Sequence, residues 1–165
     1  MRVLKKIWVL VVFSGNFFYT TAQAQQVTVS GSWSLMIDET NLQSGAGSDL
    51  IDTYESNVNQ VNVSVTKSGG LFTNWYWRVD ITKTDGNWHS DFHLDVRRSS
   101  NGIGFGSISG LTSYQEIVNS SPPYFTGNRN RYLIGMQYRL RGVSVQIPPA
   151  TYTNTVIYIV IEYWG

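Results

Sequence analysis

The chain contains no cysteine. That excludes a disulfide framework, a thiolate metal site, a cysteine nucleophile and a lipid-modified cysteine behind a leader. Charge is scarce as well. Asp, Glu, Lys and Arg make up 14% of the 165 residues, against about 25% in an average soluble domain. The surface therefore falls to Ser, Thr, Asn, Gln and Tyr. A formal net charge of +1 gives no basis for electrostatic capture of nucleic acid. No stretch beyond the N-terminal apolar run has helical periodicity. There is no Gly-x-Ser-x-Gly elbow. The run Gly102-Ile-Gly-Phe-Gly106 lacks the following helix and the βαβ setting of a dinucleotide loop.

The N-terminus has the form of a secretory signal. Arg2, Lys5 and Lys6 precede an apolar run over 7–13, which Phe17, Phe18 and Tyr19 extend. Ala22-Gln23-Ala24 has the small-x-small pattern of a cleavage site. Ser14, Gly15 and Asn16 interrupt the run, whereas a spanning helix needs ~20 mostly apolar residues. The expectation is a signal peptide over 1–24 that is removed and a domain over 25–165. The mature chain then has no membrane span, and the protein is secreted, extracellular or at the cell surface. Without the three leader cations, nine basic residues face eleven acidic ones, about −2.

Strand signals fill the rest. Residues 152–164 hold no Gly or Pro and are dense in β-branched and aromatic side chains. Side chains alternate across a strand, which puts Thr155, Ile157, Ile159, Ile161 and Tyr163 on one face. That face is almost wholly apolar and is expected to point into the core. The other face carries Asn154, Val156, Tyr158, Val160, Glu162 and Trp164. The cleanest alternation lies over 27–37, where Val27, Val29, Gly31, Trp33, Leu35 and Ile37 share a row. The glycine in that row suits close approach of a neighbour, or a bulge.

Residues 73–84 and 88–98 read as a hairpin closed by Asp85-Gly86, with Trp75, Trp77, Val79 and Ile81 on one apolar face. A helical turn is expected near 50–54, and a long loop over 114–130, where Pro122-Pro123 and Thr126-Gly127-Asn128 fall. A strand over 131–147 should bend at Arg141-Gly142. About seven strands divided by turn signals predict an all-β fold, a single antiparallel β-sandwich of Ig-like or jelly-roll-like form.

Candidates for chemistry are few. His89, Asp91, His93 and Asp95 alternate on one expected strand face, where two imidazoles at i and i+4 with carboxylate help can chelate an ion. A solvated polar face accounts for the same row. Asp80, Asp91, Asp95 and Glu116 are the acids available for glycoside hydrolysis, but no spacing singles out a pair. Tyr76 and Trp164 have the parity of exposed aromatics and are candidate ligand contacts. No cofactor is implied, and the reading is non-enzymatic.

The end of the chain carries a resemblance. Tyr152, Asn154, Thr155 and Val156 fall on a Gly-x-Tyr-x-Asp-Thr pattern, with Ala150 for the glycine and Asn154 for the aspartate. This stretch resembles the C-terminal strand of secreted fimbrial subunits, closest to the spore-coat-U-like pilins of archaic chaperone–usher pili. It differs in two ways. That family usually carries a disulfide, and its apolar row would fall on Val156, Tyr158, Val160 and the position of Glu162. The resemblance implies a structural subunit in which a neighbour's N-terminal strand fills a groove beside the last strand. It implies as partners other copies or related subunits, and a periplasmic chaperone. Residues 27–37 have the form of the donor, and Ile157, Ile159, Ile161 and Tyr163 mark the acceptor strand. Alternation alone leaves open whether 27–37 pairs within its own chain or with a neighbour. A second function class is a secreted carbohydrate-binding or adhesin-type module with glycans as partners.

Overall fold

A computed structural model describes residues 7–15, 25–69, 72 and 74–163. It is an all-β sandwich. The strands are β1 (Ile7–Gly15), β2 (Gln25–Ser30), β3 (Trp33–Ile37), β4 (Tyr54–Glu55), β5 (Val61–Lys67), β6 (Tyr76–Asp85), β7 (His93–Arg98), β8 (Ile108–Gly110), β9 (Gln115–Glu116), β10 (Pro123–Asn128), β11 (Arg131–Arg141) and β12 (Thr151–Tyr163). The first sheet has the order β3-β1-β12-β6-β10-β8, and the second β2-β5-β11-β7-β9 with β4 also on β11. Every pairing is antiparallel except that of β1 with β12. Between the sheets lie the interior side chains, among them Trp77, Tyr138, Tyr158, Phe125, Ile134 and Met136. Among the described residues no helix is long and apolar enough to cross a membrane.

The alternating segment 27–37 is not one strand. Its first half, β2, pairs with β5 in the second sheet, and its second half, β3, pairs with β1 in the first. The switch occurs at Gly31, whose φ of 110° is a conformation that L side chains rarely adopt, and a Cβ there would meet the Gln60 carbonyl at 2.6 Å. Gln60 Nε2 donates to the Ser32 carbonyl across the same bend. One row still faces inward through the change of sheet: Val27, Trp33 and Ile37 are buried, and Val29 and Leu35 pack on the core.

The expected hairpin around Asp85-Gly86 does not form. β6 lies in the first sheet and β7 in the second. The reason is a longer-range ladder. Pairing of β6 with β12 runs on past Asp85, with Gly86 N–H donating to the Thr153 carbonyl and Thr153 N–H to the Asn87 carbonyl. A Cβ on Gly86 would stand 2.4 Å from Thr153 Oγ1. The chain is thereby held along β12, and Phe92, buried, carries it over the end of the core to the opposite sheet. Trp77, Val79 and Ile81 of β6 and Leu94 and Val96 of β7 are all buried, each on its own sheet's inner face.

Three smaller expectations also change. Residues 114–130 are not a loop: they hold β9 and β10, and β10 lies between β6 and β8. Pro123 is tolerated there because it opens the strand. β11 ends at Arg141, and residues 143–147 are not strand. Their amides go elsewhere, Val143 N–H to the Asp52 carbonyl and Val145 N–H to the Asp49 carboxylate. Among the described residues the single helical turn is a 3-10 turn at Glu39–Asn41 rather than at 50–54, capped by Asp38, which accepts from Thr40 N–H.

Candidate functional site: the strand position between β3 and β12

β12 is the longest strand and has two different neighbours. On one side β6 pairs with it from Asn154↔Asp85 to Tyr163↔Tyr76. On the other side lies β1, parallel to it from Trp8↔Thr151 to Gly15↔Tyr158. β1 in turn pairs with β3, antiparallel, from Ile7↔Ile37 to Val11↔Trp33. β3 has no other sheet partner among the described residues. The strand position between β3 and β12 is therefore filled by residues from the expected leader.

The inward row of β12 is Tyr152, Asn154, Val156 and Tyr158, all buried, with Val160 packed on the core. The expected inward row, Ile157, Ile159 and Ile161, is half-buried on the outer face, and Tyr163 is 39% exposed. Partner register decides the matter. Ile157, Ile159 and Ile161 lie opposite Thr82, Asp80 and Arg78, while Tyr158, Val160 and Glu162 lie opposite Ile81, Val79 and Trp77. Directly opposite residues share a face, and Trp77, Val79 and Ile81 are fully buried.

Specific contacts anchor that inward row. The Tyr158 hydroxyl meets the Tyr138 hydroxyl of β11, tying one sheet to the other. Burial pushes both hydroxyls well above the ordinary tyrosine pKa, so both stay protonated. Tyr152 donates to the Pro148 carbonyl and packs edge-on against Phe92 at 5.0 Å. Asn154 Nδ2 donates to Asp85, while its Oδ1 is buried with no partner among the described residues. The row ends in polarity: Glu162 takes an ion pair from Lys67 at 2.7 Å and a hydrogen bond from Gln25 Nε2.

No protein-family model and no curated protein matches this chain.

The remaining predicted residues are dispersed. His89 lies in the turn before β7 and packs at a tilt on Phe92 and edge-on against Tyr152, at 5.8 and 6.2 Å between ring centres. His93 opens β7 and its Nδ1 is 2.7 Å from Glu116 Oε1. Among the described residues no three His, Asp or Glu side chains gather to hold a metal ion. Asp95, on the same outer face, is 1% exposed and clamped by arginine. Arg139 Nε and Nη2 approach its Oδ2 at 2.8 and 2.7 Å, and Arg141 reaches both oxygens at 2.7 and 3.0 Å. Burial pushes the Asp95 carboxyl up, but hydrogen bonds and charge from Arg141 and Arg139 outweigh it and hold the group below the ordinary carboxylate value. The Tyr114 ring lies beneath Arg97 and Arg139, at 4.9 and 4.2 Å. Tyr76 is half-buried and pairs with Tyr163, ring centres 6.1 Å apart. Trp164 lies outside the described residues.

Sequence reasoning missed the strand formed by Ile7–Gly15, because an apolar run behind cations reads as a leader whatever it pairs with. It also missed the inward role of Tyr152, Val156 and Tyr158.

Proposed function

We propose that the chain is a secreted structural subunit, pilin- or coat-like, that assembles on a surface by strand exchange. One observation carries this reading: the strand between β3 and β12 comes from residues 7–15, within the expected leader. With the leader removed after Ala24, the sandwich is one strand short. β12 then offers a row of backbone donors and acceptors along residues 151–158, beside the inward row Tyr152, Asn154, Val156 and Tyr158. Such an edge takes a strand from another chain by main-chain hydrogen bonding, with alternate side chains filling the space below.

The donor we propose is the N-terminal arm of a neighbour, with Val27, Val29, Gly31, Trp33, Leu35 and Ile37 as its apolar row. Each half of that arm rests on a single neighbouring strand, β2 on β5 and β3 on β1, so the arm loses half its sheet pairing with the leader. The fimbrial resemblance supports the same reading from a second side. Its pattern sets the apolar row on Val156, Tyr158 and Val160, the row that faces inward here. A periplasmic chaperone would supply a temporary strand at the same edge.

The test is negative-stain microscopy and light scattering of the chain from Gln25 onward. Filaments or large oligomers are expected. An excess of a synthetic peptide of residues 25–38 should hold the protein as capped monomers. Removing residues 25–38 from the chain should abolish assembly. An assembly state unaffected by both the peptide and the truncation rejects the strand-exchange function.

A further inference from the structure

We infer that the leader strand is an intramolecular cap on the assembly groove: in the uncleaved chain β1 holds the place a neighbour's strand must take, and cleavage licenses assembly. The inference rests on the strand-exchange reading above. Three features carry it. The first is continuity of register. β1 follows β12 from Trp8↔Thr151 to Gly15↔Tyr158, and β3 from Ile7↔Ile37 to Val11↔Trp33, with no slip in either pairing.

The second is parity. Val9, Val11 and Phe13 lie opposite Tyr152, Asn154 and Val156, the inward row of β12. Ile7, Val9 and Val11 lie opposite Ile37, Leu35 and Trp33, the inward row of β3. One set of alternate leader positions, all apolar, therefore serves both neighbours.

The third is attachment. While covalently joined, the cap competes at an effective concentration in the millimolar range. A neighbour's strand at micromolar concentration cannot displace it. Cleavage makes the cap a separate peptide and removes that advantage.

The test uses the full-length chain, made without export so that the leader is retained, with a site-specific protease sequence inserted after Ala24. Amide hydrogen exchange of residues 152–158 reports the groove, and light scattering reports assembly. The intact chain should be monomeric and protected at these amides. Proteolysis should start assembly. Val9→Lys, opposite Tyr152, should raise exchange by ~100-fold or more, the loss of protection of a locally opened segment, and start assembly with the leader attached. Leu10→Lys, opposite Thr153, should change neither. An intact chain that assembles as fast as the cleaved one overturns the inference. So does equal exchange in the two lysine variants. A cleaved chain that exposes the β12 edge but never assembles removes the strand-exchange function while leaving the cap in place.

Discussion

Asp95→Asn tests whether the polar outer face of the second sheet is held by charge. The Asp95 side chain is 2% exposed and receives four close nitrogen contacts from Arg139 and Arg141. Removing one partner of a fully buried ion pair costs ~3–5 kcal/mol. Here the arginines keep 29% and 36% of their side-chain exposure, so they recover part of their hydration when the carboxylate goes. Asparagine also retains the shape and one accepting oxygen. The net cost at pH 7 should be ~2–3 kcal/mol. For a domain of this size that lowers Tm by about 4–12 °C. The sign with pH is fixed by the lowered carboxyl pKa. Its contribution is fully present above the unfolded value near 3.9 and is lost as pH falls through the lower folded value. Thermal unfolding followed by circular dichroism should therefore give a large wild-type advantage at pH 7 that shrinks steadily below about pH 4. An equal loss of Tm at pH 7 and pH 2.5 refutes the electrostatic account and assigns the effect to packing.

Three further outcomes follow from the same geometry. Val156→Ala, on the inward row of β12, removes two buried carbons and should cost about 1.6 kcal/mol or more in urea unfolding, while Ile157→Ala on the outer face should cost less although it removes more carbon. Gly31→Val should destabilise by at least ~2 kcal/mol, because φ is 110° and the Gln60 carbonyl stands in the way of a Cβ; urea unfolding measures this too. Zinc titration should leave Tm unchanged, since His89 packs on aromatic rings and His93 is engaged by Glu116; a rise in Tm that His93→Ala abolishes contradicts this.

How much of this was legible in the sequence depends on where each decision is made. The all-β character is written in local alternation, and so is the inward row Val27, Trp33, Ile37, because its opposite row is almost wholly Ser and Thr. β12 is different. Both of its rows carry large apolar side chains, and the more apolar of the two, Ile157, Ile159 and Ile161, is the outer one. The choice is made by β6, whose rows are unambiguous: Trp77, Val79 and Ile81 against Arg78 and Asp80. Partner identity is long-range information that periodicity does not carry. The Asp85-Gly86 turn failed for a related reason. Turn chemistry is a local preference, and the ladder from Gly86 to Thr153 overrides it. β10 was hidden by Pro122-Pro123 and Gly127, residues that mark loops when read alone. Of the strand position between β3 and β12, only the β12 edge was anticipated. Its other wall is β3, which reached that position only because the chain changes sheets at Gly31.

The sheet change at Gly31-Ser32 has a mechanical counterpart on the far side. β8 ends the first sheet and β9 ends the second, and only residues 111–114 separate them in sequence. Both lateral margins are thus crossed by short covalent connections between the two sheets. With β1 between them, β3 and β12 stand two interstrand spacings apart, about 9–10 Å.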